Sequence, residues 1–381
     1  MFDRVYQYNF PTTIRFGAGS VAELPDYLKA NNLSDPLIVT DPVVAELGFF
    51  KKIIESLKNR NISVEVFSDI HKNPVKSDVY KGTDRYDDTH RDCIIGIGGG
   101  AAVDVARAIL LRINHREDLF KYDDLIGGDV HVVNDVPHFI TIPTTAGTGS
   151  EVGRSAIIAD DDTHQKKILF SPKLLAKIVF ADPILTMDLP PAVTAATGMD
   201  AFTHNMEAYI AKMPHPMCEG IALEGMSLIA QSIEQAVKHS DVESRSKMLI
   251  ASMMGAVAFQ KGLGVVHSLA HPLSSLLDTH HGLANAVNLP YGMAFNVAGF
   301  EDRFRKMART LELKDESGAG VVEFLHDLND RIGIPHRLRD IGVRDEHVET
   351  LADLAVADFA HPNNPKPVSR ENFRDLYLKA L

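Results

Sequence analysis

His267 and His281 stand fourteen residues apart in GLGVVHSLAHPLSSLLDTHHG, and Asp200 and His204 form an i, i+4 pair in TGMDAFTHNMEAY. One carboxylate and three imidazoles make a donor set suited to a divalent transition metal. On a helix, residues four apart lie on one face, a turn from each other. His267 and His271 repeat that spacing in HSLAH, and His281 opens HGLANAVNLP. The chain holds 17 histidines, and any single one is better read as a core or surface residue. The case rests on the joint pattern of three segments able to converge on one ion. Five candidates exceed the usual four ligands, so one histidine is free. His280 reads as a solvent-side bystander. His271 reads as a group behind the ligands or as a base that takes a proton from substrate.

A second kind of chemistry is written further upstream. The run CIIGIG leads into Gly98, Gly99 and Gly100, and then into AAVDVARAI. Glycines at a strand-to-helix turn let backbone approach a phosphate, and a helix N-terminus offers free N–H groups. The spacing is neither the dinucleotide fingerprint nor the P-loop. On this loop alone, a tight βα turn is an equal reading. TTAGTGSE (144–151) follows the run HFITIP and carries three threonines, two glycines and a serine. Small and hydroxyl residues in that position suit a ligand at the carboxyl ends of parallel strands. Ser150 lacks the flanking glycines of a nucleophile elbow. Asp41 ends LIVTD, where a carboxylate can accept from a ribose hydroxyl and repel a 2′-phosphate, favouring NAD over NADP. It can equally cap the following helix, with Pro42 in the first turn.

The elements that must position these residues fall into two halves. LIVTD (37–41), SVEVFSD (63–69), DCIIGIGGG (92–100), HFITIPTT (138–145) and KIVFADP (177–183) predict strands. VVAELGFFKKIIESLKNR (43–60) and AAVDVARAILLRI (101–113) predict helices between them. Apolar strands alternating with helices mean a parallel sheet covered on both faces. After DPILTMDLPP helical periodicity dominates, in ALEGMSLIAQSIEQAVK, SRSKMLIASMMGAVAFQ, GVVEFLHDLNDRIG and DEHVETLADLAVADFA. The expectation is an α/β nucleotide-binding domain over 1–187, with a parallel, Rossmann-like sheet, and an all-helical metal-binding and catalytic domain over 188–381. No internal repeat or low-complexity segment interrupts either.

Bulk properties exclude several classes. The 381 residues suffice for two domains, and 45% apolar with 24% charged residues is ordinary for a globular chain. A net charge of −12 with no basic block argues against nucleic acid. Two cysteines, Cys93 and Cys218, exclude a disulfide framework and fit a reducing compartment; Cys93, in an apolar run, reads as a buried inert thiol. The N-terminus MFDRVYQYNFPTTI has no apolar signal region, and no stretch approaches the ~20 apolar residues that span a bilayer. A cytoplasmic enzyme without membrane partner is expected.

Taken together, FPTTIRFGAGSVAELPDYL, GGG…D, PTTAGTGSEV, DP…LP, TGMDAFTHNMEAY and H…AHPL…HG.AN resemble the group III, iron-containing alcohol dehydrogenases, the family that includes lactaldehyde and propanediol dehydrogenases. The resemblance spans almost the whole chain, and the last two motifs are the most specific. It implies Asp200, His204, His267 and His281 as metal ligands and His271 as the additional histidine near substrate. It implies cofactor contacts from Asp41, Asn73, Gly98, Gly99, Gly100, Asp104, Thr144, Thr145, Thr148 and Lys166, the last with Lys167 as the competing register. The cofactor would be NAD, with NADP second. The metal would be Fe(II), with zinc as the other candidate, because ligand type does not separate the two. The implied reaction is hydride transfer between a small alcohol or aldehyde and the nicotinamide, the cation stabilising the alkoxide. A homodimer or larger homo-oligomer is implied as well.

This sequence departs from the pattern at Ala101, where the loop usually has serine, at Arg107, where lysine is common, and at His280, a frequent proline. Arg154 follows TTAGTGSEV and reads either as a partner for an anionic substrate group or as half of a salt bridge. The alternative function is a non-redox metal-dependent lyase on the fold of dehydroquinate synthase, against which TGMDAFTH and AHPL speak. A nucleotide- or metal-binding regulatory protein without turnover ranks below both.

Overall fold

The computed structural model describes Phe10 and residues 12–381. These divide into two compact units, Phe10–Thr145 with Gly149–Asp188, and Ala146–Thr148 with Leu189–Leu381.

The first unit carries β1 (Thr13–Phe16), β2 (Pro36–Val39), β3 (Glu65–Phe67), β4 (Cys93–Gly98), β5 (His138–Pro143), β6 (Ser155–Ala159), β7 (Lys166–Phe170) and β8 (Ile178–Ala181). Its helices are α1 (Leu24–Ala30), α2 (Pro42–Glu46), α3 (Gly48–Lys58), α4 (Lys76–Asp88) and α5 (Gly100–Asn114). Six strands form one parallel sheet in the order β1-β8-β5-β4-β2-β3. Strand side chains alternate between faces. Cys93, Ile95 and Ile97 therefore join Leu24, Leu28, Phe50, Ile53 and Leu57 on one side, while Ile94 joins Val79, Val105, Ala106 and Ile109 on the other. Burying each valine, leucine, isoleucine or phenylalanine among them contributes about 1.5–3 kcal/mol, and β4, buried at every position, anchors both layers. Cys93 and Cys218 are free and buried, and burial pushes the Cys93 thiol far up, away from a reactive thiolate.

The five predicted strands correspond to β2, β3, β4, β5 and β8. Three strands lie outside the sequence reading. β1 is a short, mostly exposed edge strand containing Arg15. β6 and β7 form a separate antiparallel hairpin. The helix predicted over 43–60 divides, because Leu47 takes an extended conformation (φ −72°, ψ 147°) between α2 and α3.

The second unit contains α6 (Pro191–Ile210), α7 (Pro216–Lys238), α8 (Val242–Ala258), α9 (Val265–Leu277), α10 (His281–Val297), α11 (Glu301–Thr310), α12 (Gly318–Ile332), α13 (Val348–Val356) and α14 (Arg370–Ala380). No strand occurs in it among the described residues. α6 is buried along nearly its whole length, packed by α7, α8 and α10. Its neighbours must come close. A Cβ on Gly282 would lie 2.4 Å from the Ala196 carbonyl oxygen, so glycine there lets the start of α10 rest on α6. No single described helix is long and apolar enough to cross a membrane.

Candidate metal centre

α6 places Asp200, His204 and Glu207 at i, i+4 and i+7, one face of the helix. His267 lies in the first turn of α9, and His281 is the first residue of α10. The four predicted ligands converge: their donor atoms all lie within 4.8 Å of one another. Asp200 Oδ1 is 3.4 Å from His281 Nε2, and the rings of His204 and His267 stack with centroids 4.7 Å apart. Asp200, His204 and His267 are buried and His281 is partly so. All four sit in the helical unit.

The chemistry of these donors fits a cation. Four ionisable side chains gathered out of water are costly without a partner of opposite charge. Burial first, then the neighbouring His267, holds the His204 imidazole down to about 4 against the pull of Asp200, so the ring is neutral and able to ligate near pH 7. Its Nδ1 is buried without a hydrogen-bond partner among the described residues. On an ion that takes five or six ligands, three nitrogens and one oxygen would also leave positions for a substrate atom.

Two residues outside the sequence reading organise the four donors. Glu207, fully buried, accepts a 2.6 Å hydrogen bond from His267 Nδ1 and another, of 2.7 Å, from the Val266 N–H at the start of α9. Burial pulls the His267 imidazole down, but the bond and charge of Glu207 outweigh it and the net direction is up. With Nδ1 held, Nε2 is the nitrogen presented to the centre. Asn285, one turn along α10 from His281, donates Nδ2 to Asp200 Oδ1 at 2.7 Å; that nitrogen also lies 3.1 Å from His281 Nε2 and 3.3 Å from His267 Nε2.

His271 lies one turn beyond His267. Its Nδ1 bonds Asp358 Oδ2 at 2.8 Å, and its ring stacks with those of Phe359 and His281, centroids 5.2 and 5.4 Å away. His280 caps α10, accepting from the Leu283 N–H at 3.4 Å.

The predicted cofactor residues lie in the sheet unit, except Thr148, which falls in the helical one. Strand order reverses between β2 and β4, the place where doubly wound sheets bind ligands beyond their carboxyl ends. Asp41 follows β2, and Gly98–Gly100 carry β4 into α5. Gly98 has φ +151°, and a Cβ on it would lie 2.7 Å from the Ala102 Cβ. Asp41 caps α2, Oδ1 accepting from the Val43 and Val44 N–H groups at 3.0 and 2.9 Å. Thr144 donates its N–H to the Gly98 carbonyl at 3.0 Å, and the Thr145 side chain abuts Gly99.

Asp104 is tied into a network. Oδ1 accepts from Ser150 Oγ at 2.6 Å and from Arg107 at 3.2 Å, and Oδ2 accepts from the Ile157 N–H at 3.1 Å. The buried Arg107 also reaches the carbonyls of Ser150, Ser155 and Leu174. Lys166 and Lys167 open β7 on opposite faces, Lys167 lying 3.5 Å from Asp123. Asn73 precedes α4. Arg154 is half-buried with its guanidinium 5.2 Å over the Phe170 ring, and it has no ion pair among the described residues. The salt-bridge reading of Arg154 is not what the structure holds.

Comparison with known proteins agrees across both units. A family profile described as "Iron-containing alcohol dehydrogenase" matches residues 11–183, and one described as "Fe-containing alcohol dehydrogenase family, C-terminal" matches 194–381. A 4-hydroxybutyrate dehydrogenase of Cupriavidus necator is 36% identical over 380 residues, covering 97% of this chain and 98% of that protein. The solved structure of a 1,3-propanediol oxidoreductase superposes with a TM-score of 0.94 at 31% identity, covering 99% of this chain and 100% of the other. A sulfoacetaldehyde reductase from Bifidobacterium kashiwanohense, solved in complex with NAD+, superposes with a TM-score of 0.88 at 26% identity, covering 99% of this chain and 100% of the other.

Proposed function

Since the chain belongs to the iron-containing alcohol dehydrogenase family, a family of metal- and nicotinamide-dependent oxidoreductases, we propose that Asp200, His204, His267 and His281 hold one Fe(II) ion for NAD-linked interconversion of a short primary alcohol and its aldehyde. The family match decides for an oxidoreductase over the lyase. The observation that carries the site assignment is the convergence of those four donors within 4.8 Å. When bound, the ion would act as a Lewis acid toward the oxygen of alcohol or aldehyde. Asp200 supplies the negative charge of the donor set, and Asn285 steadies it. Glu207 fixes His267 so that one nitrogen faces the centre. His271, outside the four, is the proton-handling group.

For the cofactor, Gly98, Gly99 and Gly100 and the free N–H groups of α5 receive the pyrophosphate. Asp41 accepts from the adenosine ribose and disfavours NADP. Asn73, Thr144, Thr145, Thr148 and Lys166 complete the contacts, and Asp104 contributes by holding Ser150 and Ile157 in place. Absorbance at 340 nm with NAD and a panel of short alcohols tests the reaction. Turnover that disappears on metal removal supports it; no turnover by metal-replete protein on any alcohol or aldehyde refutes it.

An ω-hydroxy carboxylate is the favoured substrate class. The unpaired guanidinium of Arg154 and the relative named 4-hydroxybutyrate dehydrogenase both support it. Arg154→Met is expected to raise KM for 4-hydroxybutyrate at least tenfold, about 1.4 kcal/mol, while leaving KM for 1-butanol within twofold. Equal changes for both substrates count against this assignment.

A further inference from the structure

α9 carries two histidines one turn apart, and each has its Nδ1 on a carboxylate. His267 meets Glu207 inside the metal centre, whereas His271 meets Asp358, a residue on the segment after α13. Asp358 makes two further bonds. Its Oδ1 accepts from Ser268 Oγ at 2.6 Å and from the Ala360 N–H at 2.9 Å. Ser268 Oγ in turn accepts the His361 N–H at 2.9 Å, so its own proton is committed to Asp358. Every bond to Asp358 thus arrives from a donor, two on Oδ1 and one on Oδ2, and the carboxylate is mostly buried. His271 must present Nδ1–H to it. The ring stacks with those of Phe359 and His281, and Nε2 makes no hydrogen bond to a described residue. The result is one tautomer, one orientation and one open nitrogen.

We infer that Asp358 is a positioning residue for the dehydrogenase reaction, acting through His271 by fixing its proton on Nδ1 so that Nε2 is free to accept or return the substrate proton. This rests on the function proposed above. The burial of Asp358 alone would raise its carboxyl, but His271, then Ser268 and the Ala360 N–H, bring it down, the direction expected of a carboxylate that only accepts hydrogen bonds. Asp358→Asn has a specific consequence. The Ala360 N–H still requires an acceptor, so the new amide keeps its oxygen there and turns its NH2 group toward His271. Nδ1 must then accept, the proton moves to Nε2, and the open nitrogen loses its lone pair.

The test is a double-mutant cycle with Asp358→Asn, His271→Ala and the pair, measuring kcat, KM for NAD and metal content by mass spectrometry. Asp358→Asn is expected to lower kcat on the order of 10²-fold or more, with KM for NAD and bound metal unchanged. In the His271→Ala background it is expected to cost nothing further. Additive losses overturn the inference, as does a folding or metal-loading defect in Asp358→Asn, since either assigns Asp358 to the scaffold joining α9 to the segment after α13. An inactive wild-type enzyme would instead refute the proposed function, so the two failures are distinguishable.

Discussion

Glu207 Oε2 and His267 Nδ1 lie 2.6 Å apart with both side chains excluded from solvent, which ties the last full turn of α6 to the first turn of α9 at a candidate ligand. Carboxylates behind a ligating histidine fix its tautomer and raise its basicity. Glu207→Gln keeps the volume and an acceptor for the Val266 N–H but removes the charge. It is expected to weaken metal binding about 10–100-fold, read as metal retained against a graded series of chelator. Unchanged retention would show that His267 needs no such support.

A second prediction concerns pH. Glu151 is buried in the loop after β5 with Oε1 unpartnered, and burial lifts its carboxyl to about 7 from 4.5. A carboxyl raised on folding contributes fully below its unfolded value and loses that contribution as pH rises to the folded value. The penalty therefore grows between about pH 4.5 and 7 and then levels off. Glu151→Gln is expected to stabilise the protein by about 2–3 kcal/mol at pH 8 and by little at pH 4.5. Urea unfolding at the two pH values would show it, and an equal effect at both would contradict the burial argument.

Cofactor choice can be separated from helix capping at Asp41. Asp41→Ser keeps an oxygen for the Val43 and Val44 N–H groups and removes the charge. The ratio of kcat/KM for NADP to that for NAD is expected to rise at least tenfold, equivalent to about 1.4 kcal/mol, with Tm nearly unchanged. An unaltered ratio would leave Asp41 as a cap alone.

The approach of α10 to α6 gives a packing prediction. Gly282→Ala sets a methyl group 2.4 Å from the Ala196 carbonyl and 3.3 Å from Asp200 Cβ. Overpacking of this kind costs about 1–3 kcal/mol, and here it shifts His281, the adjoining residue. Tm and metal content are expected to fall together. A fall in Tm with full metal content would separate the packing from the centre.

What the sequence made legible follows from local rules. The candidate donors were readable in part because Asp200 and His204, four residues apart, share one helix face, and the five sheet strands because buried parallel strands are continuous apolar runs. Glu207 was readable in principle: DAFTHNME places it at i+7 from Asp200, on the ligand face. Asn285 was hidden inside the HGLAN segment, since nothing local aims a carboxamide at a carboxylate on another helix. Asp358 meets His271 from 87 residues away, a pairing that only tertiary packing creates. The hairpin β6–β7 escaped because its strands are short and broken by the charged turn after Ala159, and β1 because its exposed edge has no buried face to announce it. The break at Leu47 was invisible because the apolar periodicity of 43–60 continues across it.

The central claim is that four side chains of the helical unit grip one cation. Metal content of the wild-type protein, measured beside Asp200→Ala and His267→Ala variants purified in parallel, tests it most directly. The account predicts about one ion per wild-type chain and near-complete loss in both variants, with secondary structure retained. Variants that hold as much metal as the wild type would contradict it.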